Sequence, residues 1–234
     1  MTGGQGGKGS AGGQAGGGGE VKTPNKPLEI HFGDNVSTYQ RSQVNALVNR
    51  MPLHLRVRLQ DAGLKLSVDG RADTSPYWAE YAKLLGIDSN TKTADGRELG
   101  DLSFYHIGYV FVSHDSPHGS RNVYVHELAH AVDYHFNDKT GPYTHQPSGR
   151  LVKTLSDDPD FVKMHKDLVF PNPLVRAYYR TGSTGDRTSG RRETFAEGYA
   201  EYIMRGRAGL VDLLKSEEAA DEFIRILKAQ GVIK

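Results

Sequence analysis

Between Arg121 and Phe136, the residues Val125, Leu128, Val132 and Phe136 recur at three- and four-residue spacing, which predicts a helix buried along one face. The opposite face is not apolar: it carries His126, Glu127 and His130. A helix sets residues four apart one turn above each other, so both imidazoles can reach a single metal ion. Glu127 lies about 100° round the helix from His126 and so flanks that ion. Any fold of this chain must cover the first face and keep the second free to hold a metal.

The spacing His126-Glu127-Leu128-Ala129-His130 suits metal-assisted hydrolysis. Zinc (Zn2+) lowers the pKa of a water it holds to about 7 and polarises a scissile carbonyl. Glu127 is then the expected catalytic base, taking the proton as the water attacks and returning it to the leaving amine. A chance match is conceivable in a chain with ten histidines, but this one sits mid-helix, follows a strand and faces away from an apolar stripe.

A catalytic zinc needs a third protein ligand and an open position. A histidine six residues after His130 would have to stand where Phe136 does, that pattern wants Gly where Asp133 stands, and His135 is out of register by one. The segment Glu193-Thr194-Phe195-Ala196-Glu197 fits better, with two carboxylates four apart on one helical face. Glu193 is the expected metal ligand and Glu197 the partner of the free ring nitrogen of a ligand histidine. Asp133, one turn beyond His130, could also orient an imidazole, or be an ordinary surface carboxylate. His106, His114, His118, His135, His145 and His165 are candidate ligands by residue type only.

Composition narrows the alternatives. With 29 basic and 28 acidic side chains, the net charge of +1 offers no field to hold nucleic acid. Without cysteine there is neither a disulfide nor a thiolate metal site. No apolar run is long enough to span a bilayer and no secretory h-region opens the chain, so a soluble protein is expected, cytoplasmic or delivered by a signal-independent route, with its compartment open.

Residues 1–26, mostly glycine at first, read as a flexible tail, and residues 27–234 as one domain. Helices are expected on either side of Pro52, at 75–85, around 160–168 and 173–179, and at 192–205 and 216–230. Strands are expected at 64–68 and at Phe104 to Val112, and a polar loop at 181–190.

The runs HELAHAVD and ETFAEGYAEYI resemble the catalytic domain of the anthrax lethal factor family and the related Pro-Pro endopeptidases, and the order of elements agrees over roughly residues 39–234. The resemblance implies an α+β zincin-like fold, mostly helical with a small sheet. In it His126, His130 and Glu193 bind zinc, Glu127 is the base and Glu197 supports a ligand. That family also places an oxyanion-stabilising tyrosine seven residues before its ligand glutamate, a position held here by Asp186. Tyr178 and Tyr179 are the nearest substitutes, and Tyr179 is the one expected to act. Phe104 to Val112 would be the edge strand receiving an extended peptide, with Tyr105 and Tyr109 touching substrate unless they are core.

The expected function is that of a zinc metalloendopeptidase acting on an extended protein segment, with no nucleic-acid partner and no membrane insertion, its oligomeric state open. The rivals are a non-catalytic metal-stabilised binding or structural module carried on the Gly-rich tail, a hydrolase of non-peptide amides, and an enzyme that trims its own tail.

Overall fold

The computed structural model describes residues 26–93, 96–116, 118–135 and 154–234. The expected tail up to Asn25, the helix end at Phe136, and His145 with the loop around it lie outside these residues, as does the side chain of His135. The described fold is mixed α+β, mostly helical with a small four-stranded sheet.

Strands β1 (Ile30–Phe32), β2 (Lys65–Asp69), β3 (Phe104–His106) and β4 (Tyr109–Ser113) lie in the order β1-β2-β4-β3. The first, second and fourth are parallel, with Lys65 opposite Tyr109 and Asp69 opposite Ser113. The edge strand β3 runs antiparallel to β4. The single strand expected over 104–112 is therefore a hairpin, closed by Ile107 at φ 41° and Gly108 at φ 84°. Two successive residues at positive φ make the tight turn that matches strand twist. A β-branched residue at the first of them hides the turn from propensity, because isoleucine scores as strand.

Helices α1 (Thr38–Val48), α2 (Leu53–Asp61) and α4 (Val123–His135) cover one face of the sheet. Ser37 caps α1 in a reciprocal box with Gln40, and α2 starts directly after the expected break at Pro52. Leu55, Leu59, Leu66, Val110, Val112, Leu128 and Val132 meet there. The other face packs α3 (Trp78–Leu85), whose Trp78 and Tyr81 close over Tyr109 and Phe111. Tyr109 is thus a core residue of a central strand, the alternative that alternation also allowed for it. Alternation turns its ring toward α3, and its hydroxyl donates to Glu80 at 2.7 Å.

The rest of the domain is helical: α5 (Pro159–Met164), extended by a π-turn to Val169, then α6 (Ala177–Thr181), α7 (Arg187–Arg205), α8 (Arg207–Leu214) and α9 (Glu217–Ala229). Helix α9 is capped by Ser216, as expected, and its amphipathic face buries Phe223, Ile226 and Leu227. Helix α7 begins inside the expected loop, because Asp186 caps it by accepting from the Ser189 N–H at 2.9 Å. Thr188-Ser189-Gly190 reads as a loop, yet Gly190 is helical because α6 crosses there. A Cβ at Gly190 would stand 2.3 Å from the Arg180 carbonyl carbon and 2.4 Å from the Thr181 nitrogen. Among the described residues no helix is long and apolar enough to cross a membrane.

This crossing is expected to be intolerant of a side chain. Gly190→Ala should lose about 1–3 kcal/mol of unfolding free energy, since its neighbours are backbone and cannot yield. A urea titration showing wild-type stability would mean that the helices do not touch so closely.

Candidate metal centre

The ionisable face of α4 looks onto α7. His126 and Glu127 are buried, and the rings of His126 and His130 stand 4.9 Å apart, nearly perpendicular. Glu193 comes from the second turn of α7. Its Oε2 lies 3.5 Å from His126 Nε2 and 3.6 Å from His130 Nε2, and the three ligand-type atoms lie within 4.8 Å of one another.

These spacings test the fit of a metal. Bonds of about 2.0–2.2 Å set the ligand atoms of a tetrahedral centre about 3.3–3.6 Å apart. The two separations from Glu193 match that edge. Moreover, Glu193 Oε2 is buried and has no hydrogen-bond partner among the described residues, although such an acceptor is costly to leave unmet. Two imidazole nitrogens and a carboxylate oxygen suit zinc.

Charge explains how the groups coexist. Burial opposes protonation of His126, but the Glu193 and Glu197 carboxylates beside its two ring nitrogens outweigh it and push its pKa up to about 10. Burial likewise opposes ionisation of Glu193, yet the charges of His130 and His126 win and hold it well below the usual carboxylate range. A bound cation would take over the part played by the imidazole protons.

Glu197, one turn further along α7, accepts at 2.8 Å from His126 Nδ1 and is itself buried. That bond leaves Nε2 directed at Glu193, which is the geometry expected of this residue. Burial raises the pKa of Glu127, and a hydrogen bond from the backbone of Tyr105 on β3 acts against that rise. Its carboxylate therefore lies between the histidine cluster and the sheet edge.

Among the described residues no imidazole is hydrogen-bonded to Asp133: its oxygens accept from the Ser156 backbone N–H at 2.6 Å and from the Ser156 hydroxyl at 2.8 Å, tying α4 to the turn before α5. Ser156 is distant in sequence, and no local pattern announces the contact. Tyr178 and Tyr179 both lie beside the cluster, on different sides of it. The Tyr178 ring borders the cleft with His126, Glu127 and Glu193, and burial followed by the nearby Glu193 charge raises its pKa. Tyr179 is buried, and its carbonyl accepts from His165 Nε2 and from the Thr194 hydroxyl. Neighbours on a helix point about 100° apart, so the Tyr178 ring borders the cleft while Tyr179 borders a hollow on the other side of His126, beside Glu197.

Of the other candidate histidines, His106 is engaged with the Tyr81 hydroxyl, His114 with Gln40, and His118 with the Ser113 carbonyl. An open cleft of about 610 Å³ runs from the cluster between β3 and the start of α7. Tyr105, Tyr134, Tyr178 and Arg192 line it, and of these sequence reasoning had missed Tyr134 and Arg192. A second hollow of about 370 Å³ continues past His126 on the other side, toward His118 and Arg176.

Among solved structures the chain is similar to the Pro-Pro endopeptidase (PPEP-2) from Paenibacillus alvei. The TM-score is 0.56 at 17% identity, over 84% of this chain and 96% of that one. The likeness is one of fold. No protein-family model matches the chain, and no curated protein matches it.

Asp133 supplies a pH test of the packing behind the cluster. Burial, only partly offset by Ser156, raises its pKa to about 6. The folded state therefore holds this proton more tightly than the unfolded chain does. Its contribution to stability is full below about pH 4 and is lost as pH rises through about 6. Asp133→Asn cannot titrate, so its unfolding free energy relative to wild type should rise between about pH 4 and about pH 7 in paired urea titrations. A difference that stays flat would show Asp133 to be ionised throughout.

Proposed function

We propose that this chain is a zinc-dependent endopeptidase that cleaves an extended segment of a protein substrate, residues 27–234 being its catalytic domain and residues 1–26 a tail. The observation that carries the reading is Glu193 Oε2, buried between two imidazoles without a hydrogen-bond partner among the described residues, with Glu127 beside it at the head of an open cleft. The fold shared with a peptidase agrees with it.

His126, His130 and Glu193 would hold the zinc, which supplies Lewis acidity toward the water and the scissile carbonyl. The chain's own groups do the rest. The β3 edge offers backbone partners to an extended peptide. Glu127 takes the proton from the attacking water as its oxygen bonds to the carbonyl carbon, and hands it to the amine nitrogen as the C–N bond breaks. The Tyr178 hydroxyl donates to the oxyanion that forms meanwhile. Glu197 keeps His126 in the tautomer that presents Nε2. A closed structural site would have no use for Glu127, which speaks against the non-catalytic module. The neighbour's Pro-Pro preference is not carried over, because a shared fold does not fix specificity.

Elemental analysis is expected to find equimolar zinc in the wild type and none in His126→Ala. Cleavage of a diverse peptide library should be chelator-sensitive and abolished in Glu127→Ala, which should retain its zinc. Zinc without any cleavage would sink the peptidase reading, and no zinc would sink the metal centre. Tyr178→Phe should lower kcat about a hundred- to a thousandfold, as losing an oxyanion donor does. Tyr179→Phe should stay close to wild type, and the reverse ranking would return the oxyanion role to Tyr179.

A further inference from the structure

Arg192 directly precedes Glu193 on α7 and forms part of the wall of the larger cleft. Its Nε and Nη2 are closed off from solvent, and among the described residues neither has a hydrogen-bond partner. The guanidinium carbon stands 5.6 Å from the centre of the Tyr134 ring, which lies 5.3 Å from the ring of Tyr105 on the edge strand. Cation, aromatic ring and strand are thus layered along one side of the cleft, past His130.

A guanidinium cannot shed its proton, so withdrawing its N–H groups from water without a partner is unfavourable. The acids around it are already committed. Both Asp133 oxygens are engaged by Ser156, and Asp186 accepts from the Ser189 N–H and the Thr184 hydroxyl at the start of α7. Each acts on Arg192 through space without bonding to it. The side chain is only half-buried in the cleft wall, so by turning its planar fork outward it would bring these unmet N–H groups to a matching carboxylate.

We infer that Arg192 is a specificity-determining residue that binds a substrate carboxylate in the part of the cleft beyond His130, so that acidic segments are selected. This rests on reading the cleft as a peptide site. The carboxylate could be an Asp or Glu side chain or a free C-terminus, and the two share the same chemistry. If Arg192 instead serves only to offset the buried Asp133 charge, its loss would lower stability without touching selectivity.

The test compares zinc-loaded wild type, Arg192→Ala, Arg192→Lys and Arg192→Glu on a random peptide library with both ends blocked, and on the same library with free C-termini. Thermal melts identify which variants are folded. Wild type is expected to enrich Asp or Glu at one position relative to the cut, or to prefer the free terminus, by about tenfold or more. The preference should weaken in Arg192→Lys, vanish in Arg192→Ala and turn toward Lys or Arg in Arg192→Glu. Cleavage by wild type without any carboxylate preference, or a preference that survives in folded Arg192→Ala, would overturn the inference and leave the peptidase reading intact. If no peptide is cut, fluorescence polarisation decides, using labelled Glu- and Gln-containing peptides on wild type and Arg192→Ala. Tighter binding of the Glu peptide, lost in the variant, would uphold the carboxylate site while the peptidase reading fails. Equal binding would end both.

Discussion

The structure turns on the packing of α4 against α7, two helices that bury apolar residues and ionisable ones along the same contact. Burying His126, Glu127, Glu193 and Glu197 singly would be prohibitive, since an isolated charge in a protein interior costs several kcal/mol, of the order expected for buried ion pairs. Together they neutralise one another: Glu197 against His126 Nδ1, and Glu193 between the two imidazoles. The apolar side of the same helices makes the arrangement affordable in packing terms. Leu128 and Val132 on α4 and Phe195 and Tyr199 on α7 are fully buried in one core. The apolar packing and the candidate metal centre therefore share a single interface.

The sheet contributes both core packing and position. Its strands are short, and β3 has only three residues, yet β3 is where Tyr105 meets both Glu127 and the Tyr134 ring. The hairpin that brings β3 back along β4 passes through Ile107 at φ 41°, a region a β-branched residue rarely occupies. Such strain persists only where its surroundings enforce it, and here the turn ends at the rim of the cleft.

What was legible in the sequence followed periodicity. His126, Glu127 and His130 lie within one turn of an amphipathic helix, and Glu193 and Glu197 within one turn of another, so their relative placement was a matter of helical geometry. The break at Pro52 and the cap at Ser216 were local signals of the same kind. Contacts set by tertiary packing were not legible. Nothing near Asp133 points to Ser156, and nothing in Tyr178-Tyr179 tells which ring faces α7. Tyr109 alternates as an edge residue would, but the strand beyond it places it in the interior. Ile107 concealed a turn, and Gly190 mimicked a loop.

That last residue shows how far the site depends on a backbone contact. Because no Cβ stands at Gly190, α6 can lie directly on the first turns of α7. The closeness has three consequences at once. The Tyr179 carbonyl takes the Thr194 hydroxyl and fixes α6 in rotation, the Tyr178 ring is thereby turned toward Glu193, and Arg192 is held in the wall beside it. Ligand, hydroxyl and guanidinium, which differ in chemistry and are scattered over fifteen residues of sequence, between Tyr178 and Glu193, become one surface through a position whose contribution is the absence of a side chain. A loop of the same composition that failed to form the helix would leave the candidate metal ligands of α4 with no partner to face.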